Sequence, residues 1–209
     1  MPTSTVEDYL KHILLEEQRS GGGLVSMGQI AAGLGVAPGT VTAMVKTLAD
    51  SGLLAYEPYS GVRLTSAGRQ LAGHVLRRHR LIELFLVKVM GIDWSEVHPE
   101  AERLEHAVSD GLIARMDEML GHPSVDPHGD PIPDARGIVE EPELASLLSC
   151  PLGAPLRVAR VDDQSRDFLQ LVERRGLKPG SRLRVDARDE AADAVELRLL
   201  EGGEPLSLG

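Results

Sequence analysis

His79 and Glu83 are four residues apart, a spacing that sets both side chains on one face of a helix. His98, Glu102, Glu105 and His106 fall at i, i+4, i+7 and i+8, a second stripe of the same chemistry. Imidazole nitrogens mixed with carboxylate oxygens form a donor set for a borderline-hard divalent metal ion. One His–Glu pair alone is most simply a solvated surface pair. Six such groups in two registered stripes are costly to bring together unless a cation neutralises them, so the pattern predicts metal binding.

Helices must position these stripes. From Ser66 to about Val89, Leu71, Val75, Ile82, Phe85 and Leu86 recur as the apolar stripe of one long helix carrying His79 and Glu83. Two further helices are expected over 95–108 and 109–120, closed by Gly121. Upstream, Tyr9, Leu10, Ile13 and Leu14 repeat at helical spacing until Gly21-Gly22-Gly23. Ser26 and Gln29 make a capping box for a short helix through Leu34, and Gly35 forces a tight turn. Pro38 suits the first turn of a helix that buries Val41, Met44, Val45 and Leu48 until Gly52. Two β-prone pieces, 53–58 and 61–64, joined through Tyr59-Ser60-Gly61, complete the order helix, helix, turn, helix, hairpin, which is that of a winged helix-turn-helix.

The exposed face of the third helix would offer Ala37, Pro38, Gly39, Thr40, Thr42, Ala43 and Lys46 to a DNA major groove. That face has no Arg, Asn or Gln for bidentate base contacts, so methyl contacts, hydroxyls and DNA shape are expected to carry specificity. Lys46 and Arg63, the latter in the wing, read as phosphate contacts. The net charge of −10 argues against a nucleic-acid partner when taken whole. It is unevenly spread: residues 1–90 hold nine Lys/Arg against seven Asp/Glu, leaving 13 against 25 for the remainder. A near-neutral reading head joined to an acidic, cation-collecting part fits that split.

After Gly121 a Pro- and Gly-rich stretch, 122–133, reads as a linker. An acidic pair at Glu140-Glu141, a short helix near Leu144, a strand over 156–161, a short helix over 168–174 and strands over 183–185 and 195–199 suggest a small β-barrel. The expected fold class is mainly α with small β parts: a winged helix-turn-helix over 1–73, a helical dimerisation and metal-binding domain with linker over 74–140, and an SH3-like barrel over 147–209. No apolar run approaches the roughly 20 residues of a membrane span, and the N-terminus lacks a basic stretch followed by an apolar core. A cytoplasmic protein is expected, and the single cysteine, Cys150, is expected to be structural.

The residues quoted above resemble the diphtheria-toxin-repressor family of iron- and manganese-dependent regulators over essentially the whole chain. The likeness runs through the winged helix, Arg78-His79-Arg80-Leu81, Val97-His98 to Glu105-His106 with Ser109-Asp110, the linker Gly129-Asp130-Pro131-Ile132-Pro133, and the SH3-like domain. The resemblance implies a primary, activating site of Asp8, Glu102, Glu105 and His106. It implies an ancillary site of His79, Glu83 and His98, completed from the third domain by Gln164 or Asp167. Asp126 and His128 match a variant in which linker residues join the second site. Iron-sensing members carry Met and Cys where this chain has Asp8 and Glu102, so Mn2+ is expected over Fe2+, at two sites per subunit. Lys11 stands where some small manganese sensors have another carboxylate, which favours two separate sites over a paired-metal cluster. The chain ends at Gly209, short of the last expected strand, so the barrel is expected to be incomplete or the chain truncated. His12, His74 and His122 match no family ligand.

The function implied is a homodimeric repressor, joined through the apolar faces between Ser66 and Leu120, that binds operator DNA when a cation ties Asp8 to the middle of the chain. Glu102-Arg103-Leu104-Glu105-His106 has the outline of an HxxEH metalloprotease motif, but Glu102 stands where the first histidine belongs, so no catalysis is expected. The competing readings are a metal-independent winged-helix regulator answering to an organic ligand, and a protein-interaction module built on the SH3-like domain.

Overall fold

The structure, a computed structural model, describes residues 3–189, 191–202 and 205–208. Helix α1 (Ser4–Arg19) starts where the Thr3 hydroxyl accepts the Val6 N–H, and it buries Tyr9, Leu10, Ile13 and Leu14. Helix α2 (Met27–Leu34) has both bonds of the Ser26/Gln29 capping box and ends at Gly35, whose φ of 63° is left-handed and so favours a residue without a Cβ. Helix α3 (Pro38–Asp50) opens on its proline and turns Val41, Val45 and Leu48 inward. The wing pairs β1 (Leu54–Glu57) antiparallel with β2 (Gly61–Leu64), and Val25 bridges to Val62 on its other side.

Glu17 on α1 is buried, and an unpaired charge there would cost several kcal/mol. It is satisfied by the Leu64 N–H of the wing and by Arg69 of the next helix. Those bonds hold α1, wing and α4 in one arrangement.

Helix α4 (Ser66–Lys88) belongs to two cores. Its first half, with Ala72 and Leu76, closes the core of the winged helix, while Leu81, Ile82, Leu84 and Leu86 pack with Val97, Ala101 and Ile113 in a second core. The second core includes α5 (His98–Leu104) and α6 (Asp110–Met119). Helix α5 is shorter than the expected 95–108. Asp93 accepts both the N–H and the hydroxyl of Ser95, which folds that stretch into a turn, and beyond Leu104 the chain tightens, with Ala107 and Val108 both bonding the Leu104 carbonyl. Glu105 and His106 therefore stand on the turn leaving α5, at its end facing α1.

The third core gathers Trp94, Cys150, Leu169, Val172, Leu183, Val185 and Leu197. It lies between helix α7 (Arg166–Arg174) and an antiparallel sheet of β3 (Leu156–Arg157), β4 (Arg182–Asp189), β5 (Ala194–Leu199) and β6 (Leu206–Leu208), in that order. Three expectations are corrected here. No helix forms near Leu144; Pro142 precedes a single turn in which the Cys150 N–H bonds the Ser146 carbonyl. The strand expected over 156–161 keeps only two residues, because Val161 bonds the linker carbonyl of His128 instead of continuing along β4. The sheet also has an edge strand not expected from the sequence, since β6 pairs Leu206 and Leu208 with Leu197 and Val195.

The linker is strapped to α4. Arg77 and Arg80 donate to the Pro133 and Pro131 carbonyls, and Gly73 passes so close that a Cβ there would lie 1.9 Å from the Gly137 oxygen.

Candidate metal centre and nucleic-acid interface

On α1, Glu7, Asp8 and Lys11 lie at i, i+1 and i+4, so one helix face presents two carboxylates and an ammonium to the end of α5. His106 meets that face: its Nε2 is 2.8 Å from Asp8 Oδ1 and its Nδ1 is 2.7 Å from Glu7 Oε2. Asp8, Glu105 and His106 each bring a ligand atom within 4.8 Å of the others. Glu105, with no exposed surface, takes Lys11 Nζ on Oε1 at 2.6 Å and His79 Nδ1 on Oε2 at 2.6 Å.

The other nitrogen of His79 continues the chain of contacts. Nε2 lies 3.0 Å from Glu83 Oε1 and 3.1 Å from His98 Nδ1, so His79, Glu83 and His98 form the expected second group. The two groups are contiguous rather than separate, because His79 touches both and Glu102 lies between them. Glu102 departs from its expected partners: its Oε1 accepts from Lys11 at 2.7 Å and stands 3.6 Å from His98 and 3.9 Å from His79. The ammonium holds it there.

Glu83 also faces a third, fully buried group with Asp126 and His128 of the linker. His128 Nε2 donates to the Trp94 carbonyl at 2.8 Å. Nε2 therefore carries a proton, and Nδ1 has no hydrogen-bond partner among the described residues and lies 3.8 Å from Glu83 Oε2. An unpartnered buried ring nitrogen facing two carboxylates is a donor set that fits a divalent ion.

The electrostatics agree. Burial opposes protonation of His79, yet the Glu83 charge and the bonds to Glu105 and Glu83 prevail and push its pKa up to about 9. Burial likewise would raise Glu83, but the charge on His79 and hydrogen bonds from both histidines hold its carboxyl well below the usual range. His106 is raised: its desolvation is outweighed by the bond to Glu7 and the charges of Glu105 and Asp8. Burial, with Glu83 and Asp130 nearby, pushes Asp126 up to about 8. Protons and one lysine thus neutralise these groups.

A cleft of about 1180 Å³ runs from Asp8 and His79 to Asp130, Asp163 and Gln164 of the third domain. Gln164 lines it but donates to Asp130 at 2.6 Å, whereas Asp167 is exposed on α7 outside the cleft, so only the first reaches the second group's surroundings. The sequence reading missed Glu7 and the position of Lys11. Their only signal is the i, i+1, i+4 pattern around Asp8, which becomes meaningful once α1 is known to face α5.

On the reading head, Ala37, Pro38, Gly39, Thr40, Ala43 and Lys46 are exposed along the start and outer face of α3, and Thr42 is half-buried with its hydroxyl bonded to the Pro38 carbonyl. Arg63 of β2 is exposed, 3.5 Å from Glu57. Tyr59 tips the wing, fully exposed with φ of 66°.

A winged helix joined through α4 to clustered imidazoles and carboxylates defines a metal-responsive DNA-binding protein. The iron dependent repressor N-terminal DNA-binding domain matches residues 1–62, the iron dependent repressor metal binding and dimerisation domain 65–134, and the FeoA domain 145–209. The "Iron-dependent repressor IdeR" of Mycobacterium leprae (strain TN) is 33% identical over 195 residues, covering 87% of this chain and 84% of that protein. An HTH-type transcriptional regulator MntR of Shouchella clausii (strain KSM-K16) is 37% identical over 122 residues, 57% of this chain and 82% of its own. Among solved structures, a manganese-dependent transcriptional repressor in complex with manganese superposes with a TM-score of 0.87 at 41% identity, covering 98% of this chain and 94% of that one. The chain belongs to the iron-dependent repressor family, whose members are DNA-binding transcriptional repressors and not enzymes.

Proposed function

We propose that this protein is a metal-activated transcriptional repressor that, as a homodimer, binds operator DNA when loaded with a divalent cation, Mn2+ in preference to Fe2+. One observation carries the reading: the Asp8 carboxylate of α1 faces His106 and Glu105 at the end of α5, so a single ion there would be held by both the reading head and the dimerisation helices. Donors that are all oxygen and imidazole, with no sulfur ligand in the group, favour Mn2+.

Asp8, Glu105 and His106 would form the activating site, with Glu102 beside them. His79, Glu83 and His98 would form a second, and Asp126 and His128 would share Glu83 from the linker side. A divalent ion supplies the positive charge and directed bonds that let these carboxylates stay together. The residues themselves do the rest. Glu7 orients the His106 ring through Nδ1, leaving Nε2 for Asp8's side. Glu105 braces His79, and Gln164 with Asp130 closes the cleft from the third domain.

Fixing α1 against α5 would fix α3 as well, because Glu17 ties α1 to the wing and to Arg69 in the first turns of α4. Ala37, Pro38, Gly39, Thr40, Thr42 and Ala43 would then meet base edges, with Lys46 and Arg63 on phosphates. The exposed Leu112 and Met119 of α6 support a homodimer contact on that helix. The three apolar cores support units over 1–73, 74–140 and 147–209, and the reading as a DNA-binding repressor is in keeping with a cytoplasmic protein.

The test is fluorescence anisotropy of labelled promoter fragments with and without Mn2+, for wild type and Asp8→Ala. Wild type should bind at least about 10-fold tighter with the metal, and Asp8→Ala should lose that gain. DNA binding indifferent to the metal in both proteins would overturn the proposal.

A further inference from the structure

Lys11 is 6% exposed, and its ammonium lies between two carboxylates of the candidate centre, 2.7 Å from Glu102 and 2.6 Å from Glu105. His79, on the other oxygen of Glu105, and His106, on Asp8, are further cationic partners. These histidines differ from Lys11 in one respect. Each can give up a proton and turn a nitrogen lone pair toward an ion, whereas an ammonium has three donors and no lone pair to offer.

We propose that Lys11 is a resident competitor for the regulatory ion: it occupies a cation position between Glu102 and Glu105, and metal uptake has to take Glu105 from it. This rests on the reading of Asp8, Glu105 and His106 as the activating site. The consequence is a threshold. A weakly bound or scarce ion leaves Glu105 with Lys11 and α1 held by an ion pair alone, whereas a sufficient supply of a tightly bound ion displaces the ammonium. A single positive charge within a few ångströms of a bound dication opposes it strongly in a partly buried site, so removing it should tighten metal binding at least about tenfold.

Geometry also says why Lys11 serves this purpose better than a residue elsewhere. It sits three residues after Asp8, on the same face of α1, so the helix that supplies a ligand also supplies the competitor. Glu102 remains partly open to solvent while Glu105 is enclosed. A displaced ammonium therefore keeps a partner in Glu102, and the exchange leaves no buried charge unpaired.

Mn2+ titration of the full-length protein, followed by the paramagnetic resonance signal of free Mn2+, measures affinity without DNA. Lys11→Gln removes the charge and Lys11→Arg keeps it, and thermal melting of each metal-free variant reports folding. Lys11→Gln should bind Mn2+ at least about tenfold tighter than wild type, melt lower without metal and gain more from it, while Lys11→Arg stays near wild type. Unchanged or weaker Mn2+ affinity in folded Lys11→Gln would overturn the proposal. So would a Lys11→Gln chain that stays unfolded at saturating Mn2+, because the ammonium would then be a structural counter-ion and not a competitor. A wild type that takes up no Mn2+ would sink the underlying metal reading instead.

Discussion

At the scale of single residues, the centre is a set of carboxylates whose neutralisation depends on protons. His79 has a folded pKa of about 9 against an ordinary 6.5. A raised pKa favours the protonated form in the fold, so its contribution is full below about 6.5 and is lost as pH climbs through 9. Asp126, pushed to about 8, acts in the same direction over a lower range, losing its contribution from about 4 upward. Each pKa unit between folded and unfolded chain is worth about 1.4 kcal/mol and both shifts exceed one unit, so for a chain of this size the metal-free protein should melt lower at pH 9 than at pH 6.5, by roughly 5 °C or more. A melting curve in chelator that is flat or rises over that interval would contradict the assignment. These residues were unequally legible. His79, Glu83, His98, Glu105 and His106 announce themselves by helical spacing, whereas Glu7 and Lys11 resemble any solvated pair on an amphipathic helix until α5 is placed opposite. Glu102 matched the family's ligand position, but a contact with Lys11 across 91 residues has no local signature.

The helices of the reading head were read well because their signals are local. Ser26 with Gln29, Gly35 and Pro38 each act within a turn or two, and the structure keeps every one of them. The third domain was read less well because its strand boundaries depend on distant partners. The segment after β3 leaves the sheet to bond the linker, where Gly129 has φ of 92° and a Cβ would come 2.0 Å from the Ala159 carbonyl. Neither the left-handed backbone nor the close approach tolerates a side chain. Gly129→Ala should lower stability by about 1–3 kcal/mol and loosen the docking of the third domain. Limited proteolysis would then cut faster between residues 133 and 150, with the winged helix still intact. An unchanged cleavage rate would mean that this contact does not hold the domain.

At the scale of the whole molecule, the proposed activation treats the chain as a lever with its fulcrum on α4. One end of that helix closes the winged-helix core and the other packs α5 and α6, so a bond between α1 and the end of α5 would set the head relative to those helices. The charge split does not follow that division: residues 1–73 are near neutral, with five Lys/Arg against six Asp/Glu, and the positive excess of residues 1–90 comes from Arg77, Arg78, Arg80 and Lys88 on α4. The broad organisation was legible because three cores and a Pro- and Gly-rich linker each leave a compositional mark. The contiguity of the ligand groups was not, because His79 joins them through two ring nitrogens facing opposite ways. The most direct test of that lever is anomalous diffraction from crystals of the full-length protein soaked in Mn2+. The account predicts a manganese peak at bonding distance from both Asp8 of α1 and His106 after α5. A fully loaded crystal in which no manganese touches Asp8 would contradict it.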